Sequence, residues 1–138
     1  GAIADYTRSI ELDANYYLSY YSRANVYRRI GNYQQAISDY DRTIKLKPNY
    51  ALAYNNRSLA HKQLKNFQAA IDDCSQAIQL SPDFAEAYYN RAAARQALND
   101  RSGAINDFKV AAKLYQKQGN KENSDDALKL VWQVQHQK

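Results

Sequence analysis

The stretch YLSYYSRANVYRRIGNYQQAISDYDRTIKLKPNY, residues 17–50, decides the fold, because the chain writes it twice more. Residues 51–84 read ALAYNNRSLAHKQLKNFQAAIDDCSQAIQLSPDF, and residues 85–118 read AEAYYNRAAARQALNDRSGAINDFKVAAKLYQKQ. The register is 34 residues and needs no insertion or deletion. It is kept by Tyr20, Tyr54 and Tyr88, by Arg23, Arg57 and Arg91, by Ala36, Ala70 and Ala104, and by Pro48 with Pro82. Upstream, AIADYTRSIELDANY fits the second half of the same unit, with Ala2 one period before Ala36. A fixed period of this length marks a repeat architecture, in which each unit is one supersecondary element.

Each unit reads as two helices. In the first half, apolar or small residues recur at helical spacing, as at Tyr20, Ala24 and Tyr27. Gly31 then supplies a helix stop and Asn32 a helix start. Asn66 and Asp100 are expected to start the corresponding later helices. Those second helices carry Ala36, Ile37, Tyr40 and Ile44, then Ala70, Ile71, Cys74 and Ile78, then Ala104, Ile105, Phe108 and Ala112. Pro48 and Pro82 close two of the units, since proline lacks the donor a helix needs. Asp83, with Glu86 three residues on, has the logic of a capping box. A lone hairpin of this kind cannot bury its apolar face, so neighbours must stack into a solenoid. The small residues Ala24, Ser58 and Ala92, with Ala36, Ala70 and Ala104, are expected where two helices cross most closely.

This pattern resembles the tetratricopeptide repeat (TPR) family. Tyr20, Ala24, Tyr27, Gly31, Tyr33, Ala36, Tyr40, Thr43 and Pro48 carry its order of aromatic, small and turn residues. Tyr54, Ser58, His61, Lys65, Phe67, Ala70, Cys74, Ala77 and Pro82 carry it again, with substitutions. The last full unit puts Gln116 in place of the closing proline, so its second helix is expected to run through Tyr115 and break at Gly119. The resemblance implies an all-α, right-handed superhelical solenoid of antiparallel hairpins. Residues 1–16 would be the second helix of a partial repeat, followed by full repeats at 17–50, 51–84 and 85–118. Residues 120–137 read as a capping helix, with Ala127, Leu130, Val131 and Val134 on its packed side and Leu128 and Trp132 beside them. The chain opens at Gly1-Ala2 without a methionine and is read as a piece of something longer.

The resemblance further implies a concave groove, lined by the first helices, that binds a peptide segment of a partner protein. Counting along those helices puts Tyr21, Asn25, Arg28 and Arg29 in it, then Asn55, Asn56, Leu59 and Lys62, then Glu86, Tyr89 and Asn90. Asparagine amides both donate and accept, which suits a peptide backbone. Tyr21 and Tyr89 offer flat apolar area at small entropic cost. Arg28, Arg29 and Lys62 are expected to favour acidic groups at one edge. Some TPR domains grip the C-terminal carboxylate of heat-shock chaperones with a clamp of lysines, an arginine and asparagines. Asn25 and Asn56 match its asparagines, but Tyr21 and Glu86 stand where it has lysines and Asn90 where it has arginine. The resemblance therefore points away from that ligand. Arg23, Arg57 and Arg91 fall outside the groove and are expected to pair with Asp39, Asp73 and Asp107.

The 138 residues carry a net charge of +5. Residues 51–100 balance five basic side chains against five acidic ones, and the surplus gathers toward the ends, as at Lys109, Lys113, Lys117 and Lys121. A dispersed surplus argues against a nucleic-acid partner. Most of the 13 tyrosines occupy the repeat's own packing positions, which makes them core rather than a stacking platform. His61 and Cys74 replace aromatic core residues and have no further ligand nearby, so they read as packing and not as a metal pair. No catalytic arrangement and no phosphate-binding loop is present in the sequence; neither enzyme activity nor a cofactor is expected. The lone Cys74 fits a reducing cytoplasmic setting. No apolar run is long enough to cross a bilayer. A competing expectation is structural: Ile3, Tyr6 and Ile10 form an apolar helix face with no preceding helix to cover it, a surface for self-association into a homo-oligomer.

Overall fold

The computed structural model describes residues 1–137, which form eight helices and no strand among the described residues. They are α1 (Ala2–Leu12), α2 (Tyr17–Arg29), α3 (Tyr33–Leu46), α4 (Ala51–Gln63), α5 (Phe67–Leu80), α6 (Ala85–Ala97), α7 (Arg101–Lys117) and α8 (Lys121–Gln135). Each helix packs chiefly against the one before and the one after it. In addition α2 touches α4, and α4 touches α6, so the first helices of successive hairpins lie side by side. The result is an all-α TPR solenoid, with α2, α4 and α6 forming one layer and α1, α3, α5 and α7 the other.

Small residues set how closely the layers approach. Ala24, Ser58 and Ala92 and their partners Ala36, Ala70 and Ala104 are all buried. Large side chains fill what the alanines leave: Tyr40 lies in one cluster with Ala24 and Ala36, and Phe108 in another with Ala92 and Ala104. Val131 and Val134 of α8 complete the Phe108 cluster, while Leu128 and Trp132 are turned to solvent at 50% and 61% exposure. The last helix starts one residue later than 120 and ends at Gln135, with Asn120 accepting a bond from the Asn123 N–H at 3.2 Å.

An arginine in each first helix ties three helices together. Arg23 makes a two-pronged ion pair with Asp39 (2.7 and 2.8 Å), Arg57 with Asp73 (2.9 and 2.7 Å) and Arg91 with Asp107 (2.8 and 2.8 Å). The remaining Nη1 of each reaches back to the preceding second helix, to Thr7 Oγ1 (3.1 Å), Asp41 Oδ1 (2.8 Å) and Ser75 Oγ (3.2 Å) respectively. Acceptors 7, 41 and 75 themselves keep the 34-residue period. The planar fork of arginine suits this role, because two N–H groups satisfy one carboxylate while a third stays free for another helix. Each guanidinium also lies 5.4–6.0 Å from the ring of the tyrosine three residues earlier, Tyr20, Tyr54 or Tyr88.

The turns depart from the sequence reading in their chemistry. Asn32 and Asn66 do stand at helix starts, but neither side chain caps a backbone N–H; Asn32 donates to Gln35 Oε1 instead. Only Asp100 among the three caps its helix, accepting from Gly103 N–H at 3.0 Å. The capping box expected at Asp83 is absent: α6 starts after Phe84, and Asp83 accepts from the Ser81 hydroxyl. The turn after Pro82 puts Asp83 one residue too early for its carboxylate to serve α6. Gly31 and Gly119 have φ of +87° and +79°, the left-handed region where a helix ends without a Cβ clash.

Candidate functional site

The first helices α2, α4 and α6 present one continuous face, and its floor is a chain of side-chain amides. Asn25 Oδ1 accepts from the Tyr40 hydroxyl and from Asn56 Nδ2 at 3.0 Å. Asn56 Nδ2 also donates to the Tyr21 hydroxyl at 2.9 Å, and Asn56 Oδ1 accepts from Asn55 Nδ2 at 3.4 Å. Asn55 Oδ1 in turn accepts from Asn90 Nδ2 at 3.0 Å. The chain thus runs Tyr40, Asn25, Asn56, Asn55, Asn90 across three hairpins.

This network corrects the simple picture of asparagines waiting for a peptide. Asn55 is 1% exposed and lies between α4 and α6, so it is a structural link and not a groove contact. It sits one residue before Asn56, which turns its side chain about 100° around the helix, into the seam between neighbours. Asn56 uses both amide hydrogens inside the fold. Asn25 keeps its Nδ2 unengaged, and Asn90 keeps its Oδ1 unengaged, one donor and one acceptor left for a ligand.

The other expected groove residues divide in the same way. Tyr21 is half-buried, edge-on to Tyr50 with centroids 5.0 Å apart, so it serves packing. Arg28 is tethered through Nε to the Tyr40 hydroxyl at 3.2 Å, whereas Arg29 is exposed. Burial raises the Tyr40 phenol above its ordinary range, and the Arg28 bond partly offsets this. Lys62 occupies the place of Arg28 one repeat later. Leu59, Glu86, Tyr89 and Asn90 converge on a cleft of about 310 Å³ at the C-terminal end of the groove. Tyr89 packs edge-on against Phe108, with centroids 5.3 Å apart.

Sequence counting along the first helices missed the far wall of that cleft. Tyr115 of α7 and Asn123 and Asp126 of α8 complete it. An adjoining cleft of about 400 Å³ shares Glu86 and Tyr115 and extends to Leu52, Phe84 and Gln118. The missing proline after residue 115 was the available signal, since it lets α7 run on to Lys117 and carry Tyr115 into the groove. Burial, then the negative charge of Glu86, pushes the Tyr115 phenol up to about 12. Two polar oddities remain, Cys74 on α5 and His61 on α4: Cys74 is fully buried, and its thiol is pushed up to about 11 by that burial. His61 Nε2 is 3.8 Å from Asp73 Oδ2, and its Nδ1 is buried without a partner. Among the described residues, no group of three or more His, Cys, Asp and Glu side chains is placed to hold a metal ion. Among the same residues, no helix is long and apolar enough to cross a membrane.

Comparison with known proteins places this geometry. The tetratricopeptide repeat model matches residues 21–83. No curated protein sequence matches the chain. Among solved structures, the second TPR of Spaghetti (RPAP3) bound to HSP90 peptide SRMEEVD is 32% identical, with a TM-score of 0.70 over 71% of this chain and 91% of that one. The second TPR domain of human RPAP3, in complex with HSP70 peptide SGPTIEEVD, is 28% identical, with a TM-score of 0.76 over 87% and 95%. The TPR2B domain of yeast Sti1, in its pHsp70 complex, is 27% identical, with a TM-score of 0.79 over 83% and 92%. A period of 34, the stacked hairpins and an identity of 32% across most of a TPR domain agree, and the chain belongs to the tetratricopeptide repeat family.

Proposed function

We propose that this chain is a protein-interaction module that holds an extended segment of a partner protein in the face built by α2, α4 and α6. The observation that carries this reading is the division of labour in the asparagine chain. It is internally bonded, hence rigid, yet leaves Asn25 Nδ2 and Asn90 Oδ1 without a partner at opposite ends of the face. A rigid floor with spare donors and acceptors binds a peptide backbone without first having to order itself. The similar TPR structures, solved with short chaperone peptides, support the same use of the face. A scaffold or adaptor role without catalysis, in a cytoplasmic setting, belongs to the same proposal; the lone buried Cys74 supports the setting. The partner differs from those of the chaperone-binding relatives, because Glu86 and Asp126 would repel the acidic residues of SRMEEVD.

Photo-crosslinking tests the groove. A benzophenone amino acid replaces Leu59, inside the face, and in a second protein Gln79, exposed on α5. Partner adducts formed from position 59 and not from position 79 support the reading. Equal adducts from both positions, or adducts from position 79 alone, overturn it.

A second reading has its own observation. Helix α1 contributes no fully buried residue; Ile3, Tyr6 and Ile10 are only half-covered, and Leu12 is 78% exposed. That face suits a second copy of the chain. Under this reading, Ile3→Asp with Tyr6→Asp lowers the sedimentation coefficient to that of a monomer; under the first it leaves the value unchanged.

A further inference from the structure

The cleft between α4, α6, α7 and α8 has an unusual balance of groups. Glu86 and Asp126 carry carboxylates that join no ion pair among the described residues. Asn90 commits Nδ2 to Asn55, which leaves a carbonyl oxygen as its spare group. Tyr115 is 6% exposed, and its hydroxyl bonds to no described residue. Among the described residues the one side-chain polar atom that is both sealed and unpartnered is His61 Nδ1, so the Tyr115 hydroxyl is not sealed, and its residue lines this cleft and the adjoining one. No lysine or arginine lines the cleft, although the chain carries a net charge of +5.

We propose that this cleft receives a lysine or arginine side chain of the peptide held in the groove, the reverse of a carboxylate clamp. The inference rests on the groove-binding reading above. Glu86 and Asp126 supply charge-assisted acceptors for an ammonium or guanidinium. Tyr89 and Tyr115 line the cleft with aromatic groups of the kind that attract a cation, and Leu59 lines it with an apolar side chain suited to the methylene stem. The volume, about 310 Å³, lies at the lower end of the roughly 300–1,000 Å³ of small-ligand pockets, enough for one long side chain. Both tyrosines sense the uncompensated charge: burial raises the Tyr89 phenol and Asp126 adds to the rise, as Glu86 adds to that of Tyr115. The cation of an incoming peptide would replace a protein counter-charge that the fold leaves out.

The test uses a phage-displayed random dodecapeptide library selected on the purified chain, followed by fluorescence polarisation with the selected peptide, acetylated and amidated. The expected result is a selected family with Lys or Arg at one fixed position. Changing that residue to glutamine weakens binding by about tenfold or more, and changing it to glutamate weakens it further. The Glu86→Gln/Asp126→Asn variant, whose exposed positions leave the melting temperature unchanged, binds the basic and glutamine peptides within about twofold of each other. Selected peptides without a basic position, or with an affinity the variant does not alter, overturn the cation cleft and leave groove binding standing. Failure to select any peptide overturns both.

Discussion

Lys65 and Asn99 occupy the turn position that Gly31 fills in the first full repeat, with φ of 62° and 64°. A side chain in this region crowds the following carbonyl and costs about 1–2 kcal/mol, a penalty that glycine escapes. Lys65→Gly is therefore expected to stabilise the fold by about 0.5–1 kcal/mol after glycine's larger unfolded-state entropy is subtracted, read from urea denaturation. Cys74 gives a second expectation at this scale. Its thiol is raised from 9.0 to about 11, and the Tyr115 phenol from 10.0 to about 12, in both cases first by burial. A raised pKa means that the folded state keeps its proton after the unfolded chain has lost it. The associated stability is whole below pH 9 and drains away as pH climbs through 9 to 11 for Cys74, then 10 to 12 for Tyr115. Denaturation midpoints should fall across that range, and Cys74→Ala should flatten its lower part.

At the scale of the helix, the arginine ladder does what apolar packing alone cannot: it sets the spacing of second helices on either side of each first helix. Asp107 is the most enclosed of its carboxylates, 1% exposed and bonded by both Arg91 and Arg95. Asp107→Ala leaves two guanidinium groups without their partner and is expected to cost about 3–5 kcal/mol. Asp41, 57% exposed, binds only the third prong of Arg57, and Asp41→Ala should cost under about 1 kcal/mol. Thermal denaturation of the two variants separates these outcomes. Helix α8 is also more than a lid. Val131 and Val134 are 6% and 1% exposed against Phe108, so truncation after Gly119 should remove at least about 3 kcal/mol and expose an apolar face that binds a hydrophobic dye.

Over the whole molecule, periodicity is what the sequence by itself determined. A 34-residue register kept by tyrosine, arginine, alanine and proline leaves one way to bury every apolar face, by stacking hairpins, so the all-α solenoid was legible before any coordinate. The pairing of Arg23, Arg57 and Arg91 with Asp39, Asp73 and Asp107 was legible for the same reason, since each pair repeats at one fixed offset. The candidate site was legible only in outline. Counting along α2, α4 and α6 brings Leu59, Glu86, Tyr89 and Asn90 to one cleft, but it also put Asn55 in the groove, where the seam between α4 and α6 encloses it. Neither Tyr115, whose equivalents one and two periods earlier are Ser81 and Lys47, nor Asp126 is foreseen by the register: one lies on a helix lengthened by the loss of a proline, the other on a helix outside the repeat. Only the tertiary structure decided that these two close the groove and that its far end is left acidic. The physical reason is that a period specifies contacts that recur, whereas the end of an array is built from contacts made once.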